Sequence, residues 1–212
     1  MFDEIDDAYQ KKWKSFEERM HFVTIGNFLH APNVDAVLQL KKLIWPIIKK
    51  ELPEAEIHVY GAYPKQQVLQ LHNEKEGFLI KGFAADADEV VSNAKVVLAP
   101  IRFGAGIKGK LTEAMLNGTP SVTTSIGAEG IVEDNDNHAF VTDSVDEIVS
   151  HAVALYQDED LWQEQQQLGY GLLANKFNKK IHERKFLNQL EEALTHKDNN
   201  RLQNFTGAML NF

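Results

Sequence analysis

The sequence predicts an α/β fold: a doubly wound, mostly parallel six-stranded sheet with helices on both faces, plus C-terminal helices. Three observations predict it. Short apolar runs alternate with amphipathic stretches along most of the chain. Several of the runs are nearly continuous in Val, Ile, Leu and Phe, as strands buried on both faces are. Two helix starts carry a side-chain acceptor followed three residues later by Glu: Asp86 with Glu89, and Ser144 with Glu147. An α+β arrangement with mixed strands is the alternative that this pattern leaves open.

The elements follow in order. Residues 1–20 form a polar, charged lead-in with helical character. HFVTIG (21–26), EIHVYG (56–61), FLIKG (78–82), KVVLAPI (95–101), PSVTT (120–124) and HAFVT (138–142) are the six strands. Helical segments lie at 33–50, 65–74, 86–93, 108–117 and 144–157, and Pro46 predicts a kink or break in the first. Residues 161–194 are helical with a break expected near Gly169–Gly171. Leu202, Phe205, Met209 and Phe212 make one apolar stripe on a terminal helix over 197–212.

Composition narrows the function. With 22 Lys+Arg against 31 Asp+Glu, the net charge of −9 opposes a large phosphate-backbone interface, so nucleic acid is not expected as a partner. The chain has no cysteine, which excludes disulfides, thiol nucleophiles and thiolate metal sites. None of the eight histidines pairs with another at a spacing of three or four, and no metal site is expected. No apolar run is long enough to span a bilayer, and the acidic start MFDEIDDAYQ resembles no signal peptide, so a cytoplasmic location is expected. Trp13, Trp45 and Trp162 are scattered and read as packing. Ser125 lacks the glycines of a nucleophile elbow.

Six of the 13 glycines (Gly104, Gly106, Gly109, Gly118, Gly127 and Gly130) fall in one stretch. There a strand ends, a glycine loop follows and a helix begins: PIRFGAGIKGKLTEAM. A helix start offers unpaired N–H groups and partial positive charge to an anion. Arg102, Lys108 and Lys110 add cations to an otherwise acidic chain, so a phosphate or diphosphate is the natural guest. The letters also fit a dinucleotide fingerprint, but after the fourth strand rather than the first. They fit most of a P-loop too, except that Leu111 stands where a hydroxyl would hold magnesium. Glu113 lies one turn into the helix, close enough for its carboxylate to accept both hydroxyls of a ribose. Gly127-Ala-Glu129-Gly130 reads as a plain turn or as a hinge loop facing the ligand.

The run RFGAGIKGKLTEAMLNGTPSVTTSIGAEG, with IGNFLHAPNVDAV, VYGAYP and KGFAADADEVVSNAKVVLAP upstream, resembles the C-terminal donor-binding domain of GT-B glycosyltransferases, nearest to retaining family 4. The resemblance covers about residues 21–195. It implies a Rossmann-like domain over 21–196 that binds a nucleotide-diphosphate sugar as substrate, with no cofactor and no metal, in polysaccharide biosynthesis. It further implies a separate N-terminal domain that meets the acceptor, the helix over 197–212 packing on it; membrane contact would come only through that half. The catalytic residues, acceptor, sugar and base stay unassigned. Of the family's two glutamates around the glycine loop, the second matches Glu113 and the first falls on Ala105. Amides of Gly106 and Ile107 match positions near sugar and diphosphate, with Gly104 in the same loop. Gly26 matches a loop glycine after the first strand, and Gly61 lies in VYGAYP. Gly82–Asp86, which contains Phe83, matches a turn facing the base. The family's arginine and lysine that grip the diphosphate fall on Asn27 and near Asn33, so Arg102, Lys108 and Lys110 are expected to substitute for them. A non-catalytic nucleotide-binding module and half of a nucleotide-sugar epimerase are the alternative functions.

Overall fold

Met20–Ile25 (β1) pairs in parallel with Ile57–Tyr60 (β2), which pairs in parallel with Phe78–Gly82 (β3). On its other side β1 pairs with Ala94–Ala99 (β4), and β4 with Ser121–Thr123 (β5). The resulting order, β3-β2-β1-β4-β5, is that of a doubly wound sheet whose direction of winding reverses between β1 and β4. The structure is a computed structural model and describes residues 10–132 and 140–197. The described residues up to Leu173 form one compact unit, and those from Ala174 onward belong to a second.

Both faces of the sheet are covered, which is why the strands read as apolar runs. Phe22, Ile57, Val59, Phe78, Val96, Leu98 and Val122 pack under the helices Ala31–Gln39 (α1), Trp45–Glu51 (α2) and Val145–Gln157 (α7). Val23 and Val97 face Val91 of Ala87–Asn93 (α4) and Ala114 of Gly109–Leu116 (α5). Each such side chain taken fully out of water contributes about 2 kcal/mol before the entropy of ordering it. Two short helices, Gln66–Leu69 (α3) and Ser125–Ala128 (α6), complete the connections around the sheet. Asp86 and Ser144 cap α4 and α7 as their sequence positions predict, accepting from the amides of Glu89 and Glu147. In place of a break at Pro46, α1 and α2 are joined without interruption by a π-helical turn, Leu40–Ile44, in which the Trp45 amide reaches the Leu40 carbonyl. All three tryptophan rings donate to a distant backbone carbonyl, Trp13 to Leu116, Trp45 to Glu76 and Trp162 to Lys95.

Several sequence expectations differ from the structure. The sheet has five strands among the described residues, not six. Residues 138 and 139 of the expected sixth strand lie outside them, and Val141 makes only a single parallel bridge to Thr123. The chain cannot prolong that pairing, because Asp143 at once turns to accept from the Ser125 amide and hydroxyl and Ser144 opens α7. The helix Glu159–Phe177 (α8) also runs unbroken through Gly169 and Gly171. Gly169 lets α8 approach Met115, since a Cβ there would lie 3.2 Å from the Met115 Cγ. The break comes at Asn178, whose side chain caps Lys179–Thr195 (α9).

Residues 10–19, read from sequence as part of a helical lead-in, run as turns packed on the same unit as the sheet. Residues 1–9, and 198–212 with their apolar stripe, lie outside the described residues. Arg19 is buried and binds the carbonyls of Lys14, Ala94 and Asn117 and the hydroxyl of Thr119, with its guanidinium 5.0 Å from the Trp162 ring centre. Burial pulls its pKa down to about 10. In the second unit, α9 exposes Ile181, Phe186, Leu187, Leu190 and Leu194. Among the described residues no helix is long and apolar enough to cross a membrane.

Candidate functional site

The point where a doubly wound sheet reverses direction leaves a crevice, because the loops leaving the two central strands run to opposite sides. Here those are the loops after β1 and β4, and most of the sequence-predicted residues lie on them. Gly26 and Asn27 follow β1, and Arg102 to Lys108 lead from β4 into α5. Gly61 and Phe83 follow the neighbouring β2 and β3.

Close backbone approach fixes the floor. The Gly26 amide donates to the Tyr60 carbonyl and the Gly61 amide to that of Gly82. A Cβ on Gly61 would lie 2.1 Å from the Gly26 carbonyl oxygen, and one on Gly26 would strike the Asn33 side chain. Both positions therefore demand glycine for space. Gly104 and Gly106 demand it for conformation, with φ of +118° and +79°.

Three contacts tie the glycine loop and α5 to the N-terminal half of α1. Gly104 lies against Pro32. Arg102 makes a two-point ion pair with Asp35, Nε to Oδ2 at 2.9 Å and Nη2 to Oδ1 at 2.6 Å. Lys110 donates from Nζ to Asn33 Oδ1 at 2.8 Å, and Asn33 Nδ2 donates in turn to the Asn27 carbonyl. Thus the ammonium of Lys110, from α5, is bonded to Asn33 of α1 and linked through it to Asn27 of the β1 loop. Burial lowers its pKa to about 8, against the pull of nearby Glu113. The Glu113 carboxyl is raised by burial and then by Asp88, with Lys110 opposing. Among the described residues, no hydrogen bond is made to that carboxylate.

Lys108 is the N-cap residue of α5, and its side chain makes no cap. Its ammonium turns back to the Gly106 carbonyl at 2.6 Å and lies 3.5 Å from Glu129. Ile107 and Phe83 stand exposed. The Thr112 hydroxyl donates to the Gly109 carbonyl, so it is spent inside the helix. Among the described residues no group of three or more His, Asp or Glu is placed to hold a metal ion. His21 and His58, stacked at 3.8 Å, sit at the opposite end of the strands.

Sequence reading missed Asp35 as the partner of Arg102 and Glu129 as that of Lys108. Asp35 gave a weak signal, an acid near the start of the helix after β1. Glu129 was visible only as part of a glycine-flanked turn.

Comparison with known proteins places the fold. No curated protein sequence matches the chain. Among solved structures, a mutant of S. aureus TarM superposes with a TM-score of 0.67 at 18% identity, over 84% of this chain and 36% of TarM. HepE of Anabaena, described in complex with UDP and glucose, gives 0.63 at 14% identity, over 88% of this chain and 51% of HepE. The C-terminal domain of LpcC, a glycosyl transferase group 1 family protein of Francisella tularensis, gives 0.55 at 22% identity, over 84% of this chain and 96% of that domain. At these identities the likeness is one of fold, and the chain spans about a third of TarM and half of HepE. The fold is that of the Rossmann-like C-terminal domain of GT-B enzymes. Residues 19–158 match the family described as Glycosyl transferases group 1, and to that family the chain belongs.

Proposed function

We propose that this chain is the donor-binding part of a glycosyltransferase that moves a sugar from a nucleotide-diphosphate sugar to an acceptor, with retention and without a metal. The observation that carries the reading is the Lys110 ammonium at the start of α5, bonded to Asn33 of α1, which in turn donates to Asn27 of the β1 loop. When the bond from the anomeric carbon to the diphosphate breaks, its electron pair stays on the diphosphate oxygen. Amide groups at the start of α5, with Lys110 and Lys108, meet that charge. Preorganised donors of this kind are worth about 3 kcal/mol each in a closed cleft and much less in an open one. Closure needs a second domain, which this reading places N-terminal to the chain and assigns the acceptor. Arg102 is paired with Asp35 and contributes less than the two lysines.

Glu113 is assigned the ribose, since a half-buried carboxylate with no donor among the described residues suits a diol. Three solved relatives of this fold are described with UDP, which makes UDP the first probe. Isothermal titration of UDP, GDP and ADP into the chain should show one of them binding below millimolar concentration. Glu113→Gln should weaken that ligand about tenfold and leave pyrophosphate nearly untouched. No binding of any of them by a chain with an intact circular dichroism spectrum would remove the reading. Ala105 favours a second one, a module that binds the nucleotide without turning it over. Sugar release from the nucleotide upon adding the N-terminal domain separates the two.

A further inference from the structure

We propose that Glu129 is the residue of this site that recognises the donor sugar. The inference rests on the reading that the glycine loop holds a nucleotide-diphosphate sugar.

Two neighbouring strands fix the turn that carries Glu129. The Thr124 hydroxyl is bonded to the Ile101 carbonyl at the end of β4 and accepts from the Gly127 amide. Gly127 packs so closely on Thr123 that a Cβ there would lie 1.9 Å from its Oγ1. The turn then runs along the glycine loop: Gly130, at φ +75°, would place a Cβ 3.3 Å from the Ile107 Cγ1. Glu129 is therefore held beside the loop by structure that no ligand is needed to form.

Its carboxylate has one described partner, the Lys108 ammonium at 3.5 Å, and its side chain is 55% exposed. The other acids near the loop face other groups. Asp35 gives both oxygens to Arg102. Glu113 lies against Gly109 and Lys110, one turn further into α5. The loop itself has Ala105 and supplies no acid. A diphosphate at the start of α5 thus has one carboxylate on the Lys110 side and another on the Lys108 side. If the first takes the ribose, the second faces the other end of the ligand, the sugar, whose adjacent hydroxyls are donors a carboxylate accepts. A diphosphate that draws Lys108 toward itself frees Glu129 for that contact.

The test compares each nucleoside diphosphate with its sugar conjugates, UDP against UDP-glucose and UDP-N-acetylglucosamine, and GDP against GDP-mannose, in titrations of wild type and Glu129→Gln. Glutamine keeps the shape and removes the charge that competes for Lys108. The variant should bind the diphosphate as well as wild type or up to about threefold tighter, and the preferred sugar conjugate about tenfold more weakly. That opposite movement supports the inference. If both ligands bind tighter, Glu129 only restrains Lys108, and if both bind more weakly it only supports the loop; either result overturns the proposal. Failure of the wild type to bind any diphosphate would instead remove the parent reading, and this one with it.

Discussion

Lys110 carries the most information of any residue. Its ammonium is withdrawn from water to reach Asn33, and burial brings its pKa to about 8. It is mostly charged at pH 7 and mostly neutral at pH 9. A diphosphate needs the charged form, so affinity for UDP should fall as pH rises through about 8, with a proton taken up on binding above that point. Lys110→Met should bind UDP about tenfold more weakly at pH 7 and lose this inflection. Calorimetry from pH 6.5 to 9.5 reads both, and parallel profiles for the two proteins would show that Lys110 does not touch the anion. The side chain itself was legible as a cation at a helix start. Its destination was not, because Asn33 is 77 residues away in the chain and only the sheet brings them together.

Among the elements, the loops after β1 and β2 depend on each other. Gly61 sits against the Gly26 carbonyl and the Phe28 ring, neither of which has room to retreat. Gly61→Ala should cost about 3 kcal/mol of stability and move the urea midpoint down accordingly. A variant as stable as wild type would mean that the two loops separate easily. Strand positions were readable to within one or two residues, because burial on both faces leaves an unbroken apolar signature. The misread elements lacked such a signature. HAFVT has the composition of a strand, yet Asp143 and Ser144 are committed to Ser125 and α7. Gly169 and Gly171 look like a break, but one glycine serves the approach to Met115.

At the scale of the molecule, Arg19 joins the segment before β1 to the connections flanking β4 and β5. Its partners are carbonyls and a hydroxyl rather than a carboxylate, so removing it strands several buried acceptors at once. Arg19→Met should cost about 3 kcal/mol in urea unfolding, and Arg19→Lys should recover little, since one ammonium cannot reach a fan of acceptors. Unchanged unfolding would show that residues 10–19 are an appendage. The sequence by itself determined the parallel α/β fold, the glycine loop opening a helix, and the family resemblance, because local periodicity, turn chemistry and motif order are properties of neighbours along the chain. Only the tertiary structure decided which charges are available. It cancelled Arg102 against Asp35, carried Lys110 to Asn33 and set Glu129 beside Lys108. Electrostatic partners are fixed by distance in space, and strand order, not sequence order, sets that distance.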